Sequence, residues 1–293
     1  METKTLDIYR KITNQIIEAI ESGLAKEKYT LPWYPVDNKD PMPRNVVTRQ
    51  GYRGINILIL WTAAEKNNYQ SGVWGTFKQW QSLGANVKKG EKATHLVYSE
   101  VREKELKEGE ETADKYFIMR SFYVFNIAQV ENYETSELIL DSNVETRPET
   151  EAFFNSLNPK IIYSGDSAFY SYTKDYIQLP RISHFKSSED YYSILSHEMI
   201  HWTGHEARLN RDLKNRFGSD DYAMEELIAE LGAAFLCSEL KITNEPRKDH
   251  ATYINSWLEV LKRDKKAIFT AATKAQQAVE WMKESQQQTR AAA

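Results

Sequence analysis

The feature that most constrains this chain is an apolar stretch, residues 192–201, that contains the pattern H-E-x-x-H. His197 and His201 are four residues apart, so on a helix their side chains lie on one face about one turn apart. Two imidazole nitrogens can then reach one metal ion from a single rigid element. Glu198 directly follows the first histidine, where a carboxylate can take a proton from a metal-bound water. The pattern predicts a zinc site with Glu198 as the catalytic base, a combination typical of amide hydrolysis.

A zinc site of this kind needs a third protein ligand, and a later helix offers one. The extended pattern H-E-x-x-H-x-x-G-x-x-H is disfavoured, because Ala207 occupies the slot of its third histidine. Residues 222–237 are typical of an apolar helix in which Glu226 and Glu230, four apart, share a face. We expect Glu226 to be the third ligand and Glu230 to accept the free N–H of a ligating histidine. Glu225 is expected to point elsewhere and is the alternative ligand.

The neighbourhood of this predicted site has two further features. Small residues on the second helix indicate that it packs closely on the first; they are Ala229, Gly232, Ala233 and Ala234. Some side chains could also donate hydrogen bonds to a transition state, although spacing does not place them: His205, Arg208, Tyr222 and His250.

Composition excludes several classes of protein. The net charge of -4 excludes a globally basic chain, although it permits a basic patch. A single cysteine, Cys237, excludes both an internal disulfide framework and a site built from several thiolates. The first residues lack the pattern of a signal peptide, and no apolar run approaches the ~20 residues of a membrane span. We therefore expect a cytoplasmic protein without a membrane partner.

The order of predicted elements indicates an α+β protein with two domains. The first half combines helices with two long strands, and the second combines a short helix, three short strands, the two site helices and a final helical region. Polar, acidic composition at 131–149 predicts the boundary, with domains at 1–135 and 147–284. The predicted helices are 5–24, 55–66, 76–83, 151–157 and 249–283, with a frayed tail after 285. The predicted strands are 95–101, 116–130, 161–163, 168–172 and 176–179.

The first half is locally basic and rich in aromatic residues. Between residues 41 and 96 cations outnumber acids, with tyrosine, tryptophan and phenylalanine interleaved. Binding of single-stranded nucleic acid requires cations along the path of the phosphates, together with aromatic rings on which the bases stack. Most of these rings should instead lie in the core, so exposed loops provide the better candidates. The candidate nucleic-acid-binding residues are Arg44, Arg49, Tyr52, Arg53, Lys88, Lys89 and Lys92.

Four motifs of the first half carry a resemblance to a known family. They are GYRGIN at 51–56, WGTFKQW at 74–80, LGANVKKGE at 83–91 and VFN at 124–126. Together they resemble the N-terminal domain of the ArdC antirestriction proteins, which is similar to a domain of plasmid TraC-type primases. The second half, through HEMIHWTGH at 197–205 and the helix of Glu226, resembles a zincin-like metallopeptidase domain.

The resemblance implies a fold and a function. It implies a mixed α+β DNA-binding domain followed by a zincin-like domain with a small sheet and two metal-site helices. It also implies a protein of a conjugative plasmid or mobile element that binds single-stranded DNA without sequence preference and protects incoming DNA from host restriction. The family's metal pattern maps onto His197, Glu198, His201 and Glu226.

Three interpretations remain open at this point. In the first, a DNA-binding domain is joined to an active zinc peptidase, with a host restriction or regulatory protein as the substrate. In the second, the metal is structural or regulatory and protection comes from coating the DNA. In the third, the chain is a cytosolic zinc peptidase that binds no DNA. Manganese or another transition metal is the alternative to zinc.

Overall fold

A computed structural model describes residues 2–24, 31, 42–103, 115–133, 148–185, 187–211, 219–242 and 251–292. The fold is mixed α+β, as predicted. Most of the predicted boundary segment and His250 lie outside the described residues. No helix among the described residues is both long enough and apolar enough to cross a membrane.

The first half combines three helices with two small sheets. The helices are α1 (Glu2–Leu24), α2 (Ile55–Asn67) and α3 (Phe77–Ser82). The strands are β1 (Arg44–Asn45), β2 (Val73–Gly75), β3 (Asn86–Val87), β4 (Thr94–Glu103), β5 (Lys115–Asn126) and β6 (Val130–Glu131). One sheet has the order β1-β2-β5-β4, with β1 and β2 parallel and the other pairs antiparallel, and β3 pairs with β6 in a separate ribbon.

Polar side chains set the ends of two of these elements. Thr76 and Gln79 form a reciprocal capping box that begins α3, since each side chain binds the other residue's backbone N–H. The long strand predicted to reach Val130 ends earlier, at Asn126. The Asn126 side chain accepts a hydrogen bond from the N–H of Ala128 at 3.0 Å, which turns the chain into a short 3₁₀ segment. This local side-chain bond competes with the strand ladder and ends it.

The second half is mostly helical. Its helices are α4 (Pro148–Ser156), α5 (Ser188–Thr203), α6 (Asp220–Glu239), α7 (Ala251–Arg263) and α8 (Ala267–Ala292). Its strands are β7 (Ile161–Tyr163), β8 (Phe169–Ser171) and β9 (Tyr176–Leu179), in the order β7-β9-β8. The final helical region is two helices rather than one, because the Asp264 side chain accepts from the N–H of Lys266 at 2.8 Å and starts α8. The predicted helix end at 283 was wrong, because α8 continues to Ala292.

Both halves contribute to one hydrophobic core, in which α6 is central. Buried residues of α1 and α2 belong to the same cluster as buried residues of α6, α7 and α8. The rings of Trp61 on α2 and Phe235 on α6 have centroids 5.8 Å apart. Thr13 of α1 donates to the carbonyl of Lys265, between α7 and α8, at 2.7 Å. The two halves are therefore joined by one core that contains α6.

Candidate metal centre

Helix α5 carries the H-E-x-x-H pattern in the middle of the fold. Ser187 caps its N-terminus by accepting a hydrogen bond from the N–H of Asp190 at 3.1 Å. The helix is packed on several sides, so His197 and Glu198 are buried and His201 is nearly so. A buried imidazole needs polar partners, which here come from α6.

Helix α6 approaches α5 closely enough for its glutamates to reach both histidines. A Cβ atom added to Gly232 would lie 2.7 Å from Ile200 on α5, so only glycine permits this contact. The Oε2 atom of Glu226 lies 3.4 Å from Nε2 of His197, and its Oε1 lies 3.7 Å from Nε2 of His201. The two Nε2 atoms are 3.2 Å apart. Small residues thus set the distance that brings three donor groups to one point.

These distances are compatible with one metal ion between the three groups, with Glu226 facing each histidine through a different oxygen. Two ligand atoms bound ~2.05 Å from a tetrahedral ion lie roughly 3.3 Å apart. The separations of 3.2, 3.4 and 3.7 Å agree with that value to within half an ångström. Among the described residues, His197, His201 and Glu226 form the group whose donor atoms converge in this way. Two imidazoles and one carboxylate are a ligand set typical of zinc, and of other divalent transition metals.

The position of the proton on the His201 ring also supports a metal ion at this site. Its Nδ1 lies 3.1 Å from Oε1 of Glu225. Burial by itself would raise the pKa of Glu225, but hydrogen bonds from His201 and Arg211 outweigh it and hold that pKa below its usual value. An ionised carboxylate only accepts hydrogen bonds, so we assign the proton to Nδ1. Nε2 then presents a lone pair toward Glu226, an arrangement that a cation stabilises.

The expectation that Glu225 points elsewhere was wrong. Arg211 donates from Nε and Nη2 to the two Glu225 oxygens, at 3.0 and 2.9 Å. The same guanidinium donates to the Thr203 hydroxyl and to the Ile200 carbonyl at the end of α5. A buried bidentate pair therefore holds the carboxylate that orients His201. Sequence reasoning did not identify Arg211, because it follows α5 in a loop with no periodic relation to the histidines.

Glu230 lies where the sequence predicted, beside His197. Its Oε2 is 3.8 Å from Nδ1 of His197, which is longer than a hydrogen bond. The carboxylate is almost fully buried, and the His197 ring faces it from α5. The assignment of Glu230 as the acceptor for His197 stays a prediction.

Tyr222 is the predicted donor that lies nearest the three converging groups. Burial would raise the pKa of Glu226, but His197, His201 and the Tyr222 hydroxyl together lower it to about 2. Burial, Tyr253 and the charge of Glu226 in turn raise the pKa of Tyr222, which therefore keeps its proton. Its hydroxyl is 3.4 Å from that of Tyr253.

Two other predicted donors are engaged outside the site. Arg208 stacks on the Trp202 ring and forms an ion pair with Asp175. The His205 ring lies against that of Tyr172, with centroids 5.1 Å apart. Both side chains connect the end of α5 to the three-stranded sheet, so they support the fold around the site.

Four of the seven candidate nucleic-acid-binding residues line one open cavity of about 600 Å³. They are Arg44, Arg49, Tyr52 and Arg53. Most of the remaining lining comes from the end of α6, the residues just after it and α8. It includes Lys241 and Lys283 together with three glutamates, Glu239, Glu280 and Glu284, and Lys283 forms an ion pair with Glu239. Arg53 forms an ion pair with Glu280 of α8. Tyr52 is half-buried, and its hydroxyl accepts a hydrogen bond from Asn45 at 3.3 Å.

The three lysines of the candidate set lie elsewhere, in the turn between β3 and β4. Lys88, Lys89 and Lys92 are exposed and do not line the cavity. The Lys88 ammonium donates to the carbonyl of Ala128 at 2.9 Å. Gln129 donates to the carbonyl of Lys92, also at 2.9 Å. The candidate residues thus divide into a cavity group and a turn group.

Comparisons with known proteins agree with this two-part organisation. Residues 6–125 match the family model described as the N-terminal domain of anti-restriction factor ArdC. Residues 148–274 match the model described as a zincin-like metallopeptidase. The uncharacterized protein y4eC of Sinorhizobium fredii is 42% identical over 94% of this chain and 91% of its own length. DNA primase TraC of Escherichia coli is 33% identical over 90% of this chain, which spans only 19% of the primase.

Solved structures show the same relationship. The metal-free crystal structure of the antirestriction protein ArdC from plasmid R388 matches with a TM-score of 0.81, at 36% identity over 96% of this chain and 98% of that one. The Mn(II)-bound structure of that protein matches with a TM-score of 0.75, at 35% identity over 95% and 97% of the two chains. The arrangement of an ArdC-type N-terminal half, a zincin-like second half and a shared fold shows that this chain belongs to the ArdC family of antirestriction proteins.

Proposed function

We propose that this protein binds single-stranded DNA without sequence preference and carries a metal-dependent peptidase site. In this proposal it belongs to a conjugative plasmid or mobile element and protects incoming DNA from host restriction. The convergence of His197, His201 and Glu226 is the observation that carries the peptidase part. The similarity to ArdC of plasmid R388 supports the antirestriction part.

The side chains of the site suit peptide hydrolysis. A divalent cation held by His197, His201 and Glu226 would polarise a peptide carbonyl and acidify a bound water. Glu198, which is buried and follows His197 on α5, would take a proton from the attacking water and return it to the leaving amine. Tyr222 keeps its proton and its hydroxyl hydrogen-bonds to Glu226, so it would orient that ligand. The peptide substrate we propose is a host restriction or regulatory protein.

The donor set favours zinc, and manganese is the alternative. Imidazole ligands suit zinc, whereas carboxylates also suit manganese. A relative of this chain has been crystallised with Mn(II), which supports a divalent ion at the site without selecting one.

DNA binding is proposed for the first half of the chain. The cavity group and the turn group together present cations on the surface of residues 42–103. Such phosphate contacts are independent of sequence and weaken steeply with salt. We also propose that the functional division follows the predicted domains, 1–135 and 147–284, although one core joins the two halves.

A second candidate function is DNA coating with a structural metal. Helix α6 supplies Glu226 to the site and, at its C-terminal end, Ser238 and Glu239 to the wall of the cavity. A metal that positions α6 could thus support DNA binding without any hydrolysis.

Glu198→Ala separates the two candidates. The variant retains the three ligands, so metal content should equal that of the wild type. Peptidase activity should fall by at least 10²-fold. Loss of protection from restriction in this variant supports the peptidase. Full protection supports DNA coating, in which case His201→Ala should lose both metal and protection.

A salt titration tests the DNA-binding part separately. The wild type should bind an oligothymidylate more weakly as salt rises, with a linear dependence of log K on log salt concentration. Absence of any binding at low salt would instead indicate a peptidase that does not use DNA.

A further inference from the structure

Four aromatic rings form a continuous row on one face of β5. The rings of Phe77 and Phe125 have centroids 6.5 Å apart, and those of His95 and Tyr123 have centroids 5.1 Å apart. Tyr123 and Phe125 are next-but-one neighbours on a strand, so their side chains point the same way about 7 Å apart. We call Phe77, Phe125, Tyr123 and His95 the aromatic row.

The aromatic row faces outward although its own strand packs against the core. Val124, between two members of the row, is fully buried and points to the opposite face of the sheet. Tyr123, at 57%, is the most exposed large hydrophobic residue of the described chain, and Phe77 is 54% exposed. Phe125 is half-buried against a small cluster around Trp80, which fixes the middle of the row. The rings are therefore held in place while their faces remain accessible.

Lysines lie near the end of the aromatic row formed by Phe77 and Phe125. Lys78 follows Phe77 on α3 and is exposed. In the turn group, the Lys88 ammonium donates to the carbonyl of Ala128 and the backbone carbonyl of Lys92 accepts from Gln129, just beyond Phe125 on the chain. Burial and the charge of Lys11 lower the pKa of His95, so its ring is neutral at pH 7 and can stack as an aromatic. Cations that flank exposed rings fit a polyanion with flat bases.

We propose that the aromatic row is the base-stacking surface for single-stranded DNA. Bases stack on Phe77 and Tyr123, and the phosphates follow Lys78 and the turn group. This inference rests on the proposed DNA-binding function and adds the surface that performs it. Every base can stack on an aromatic ring, so binding of this kind has no sequence preference.

The test compares two labelled strands of equal length, an oligothymidylate and an abasic strand, by fluorescence anisotropy. Tyr123→Ala and Phe77→Ala should each lower affinity for oligothymidylate about fivefold or more. Neither should change affinity for the abasic strand, which has phosphates but no bases. The salt dependence should also stay that of the wild type, because no phosphate contact is lost. Tyr123→Phe keeps the ring and should bind normally.

Tyr98→Ala is the matched control. Tyr98 is 46% exposed and lies on the paired strand β4, but on the opposite face from His95. Its loss should leave binding of both strands unchanged. If Tyr123→Ala and Phe77→Ala both bind oligothymidylate with wild-type affinity, the proposal of a base-stacking surface is wrong, while the proposal of DNA binding still stands. Failure of the wild type itself to bind would overturn the proposed DNA function. Unchanged melting temperatures establish that the variants fold.

Discussion

The proton on Nδ1 of His201 determines whether that ring can serve as a ligand, and Glu225 holds the proton in place. Glu225 in turn depends on Arg211, which binds both of its oxygens and the end of α5. Partners of this kind orient a ligand and raise its basicity. The pair is also buried, so loss of either member leaves a charge without its counterpart.

Glu225→Gln should therefore lower affinity for zinc about 10- to 100-fold while all three ligands remain. The amide oxygen of the glutamine is neutral, so it accepts the His201 N–H less strongly than the carboxylate does. The amide NH₂ would face Arg211, which is itself a donor. Competition with a chromophoric chelator measures the change. Glu206→Gln is the control, since Glu206 carries the same charge on an exposed loop just after α5. Equal zinc affinity in both variants and the wild type would show that Glu225 does not orient the ligand.

At the scale of elements, the contact between α5 and α6 sets the geometry of the site. Gly232 is the point of closest approach, where Ile200 fills the space that a side chain would need. Protein interiors are close-packed, so an added methyl group must displace one helix or the other. Displacement of α6 would carry Glu226 away from the histidines.

Gly232→Ala should destabilise the protein by about 1 to 3 kcal/mol, measured by denaturant unfolding of the metal-free form. It should also weaken metal binding. Ile200→Ala removes all the atoms that the new methyl group would meet, so the double variant should be more stable than the sum of the two single changes predicts. Gly51→Ala is the control, because its nearest contact would be an ordinary 3.9 Å. Strict additivity would mean that the helices separate without strain.

At the scale of the whole molecule, one core joins two halves that match different family models. The rings of Trp61 and Phe235 meet across it, and α8 packs against helices of both halves. Domains that share a large apolar interface are expected to unfold together. The metal site, although built from the second half alone, is then coupled to the stability of the first.

Heating should therefore unfold both halves in one transition, and zinc should raise the melting temperature of that single transition. Zinc at 100 times its dissociation constant should stabilise the protein by about 2.7 kcal/mol, and a chelator should reverse the shift. Hydrogen exchange can follow β5 and α6 separately in the same sample. His201→Ala is the control that should show no zinc-dependent shift. Protection of α6 alone by zinc would show that the halves unfold independently.

The sequence by itself determined the features that depend on local spacing. The four-residue interval of His197 and His201 places both on one face of α5, and that of Glu226 and Glu230 places both toward α5 from α6. The bounds of most predicted helices and strands followed from the same periodicity. These features are readable because they involve neighbours along one element.

Only the tertiary structure decided which distant side chains meet. Glu225 was expected to point away, yet α6 is buried on several faces, so adjacent glutamates both reach α5. Arg211 joined the site from a loop, and the aromatic row assembled from α3, β4 and β5. Such contacts depend on how whole elements pack against one another, and periodicity within a single element carries no information about that packing.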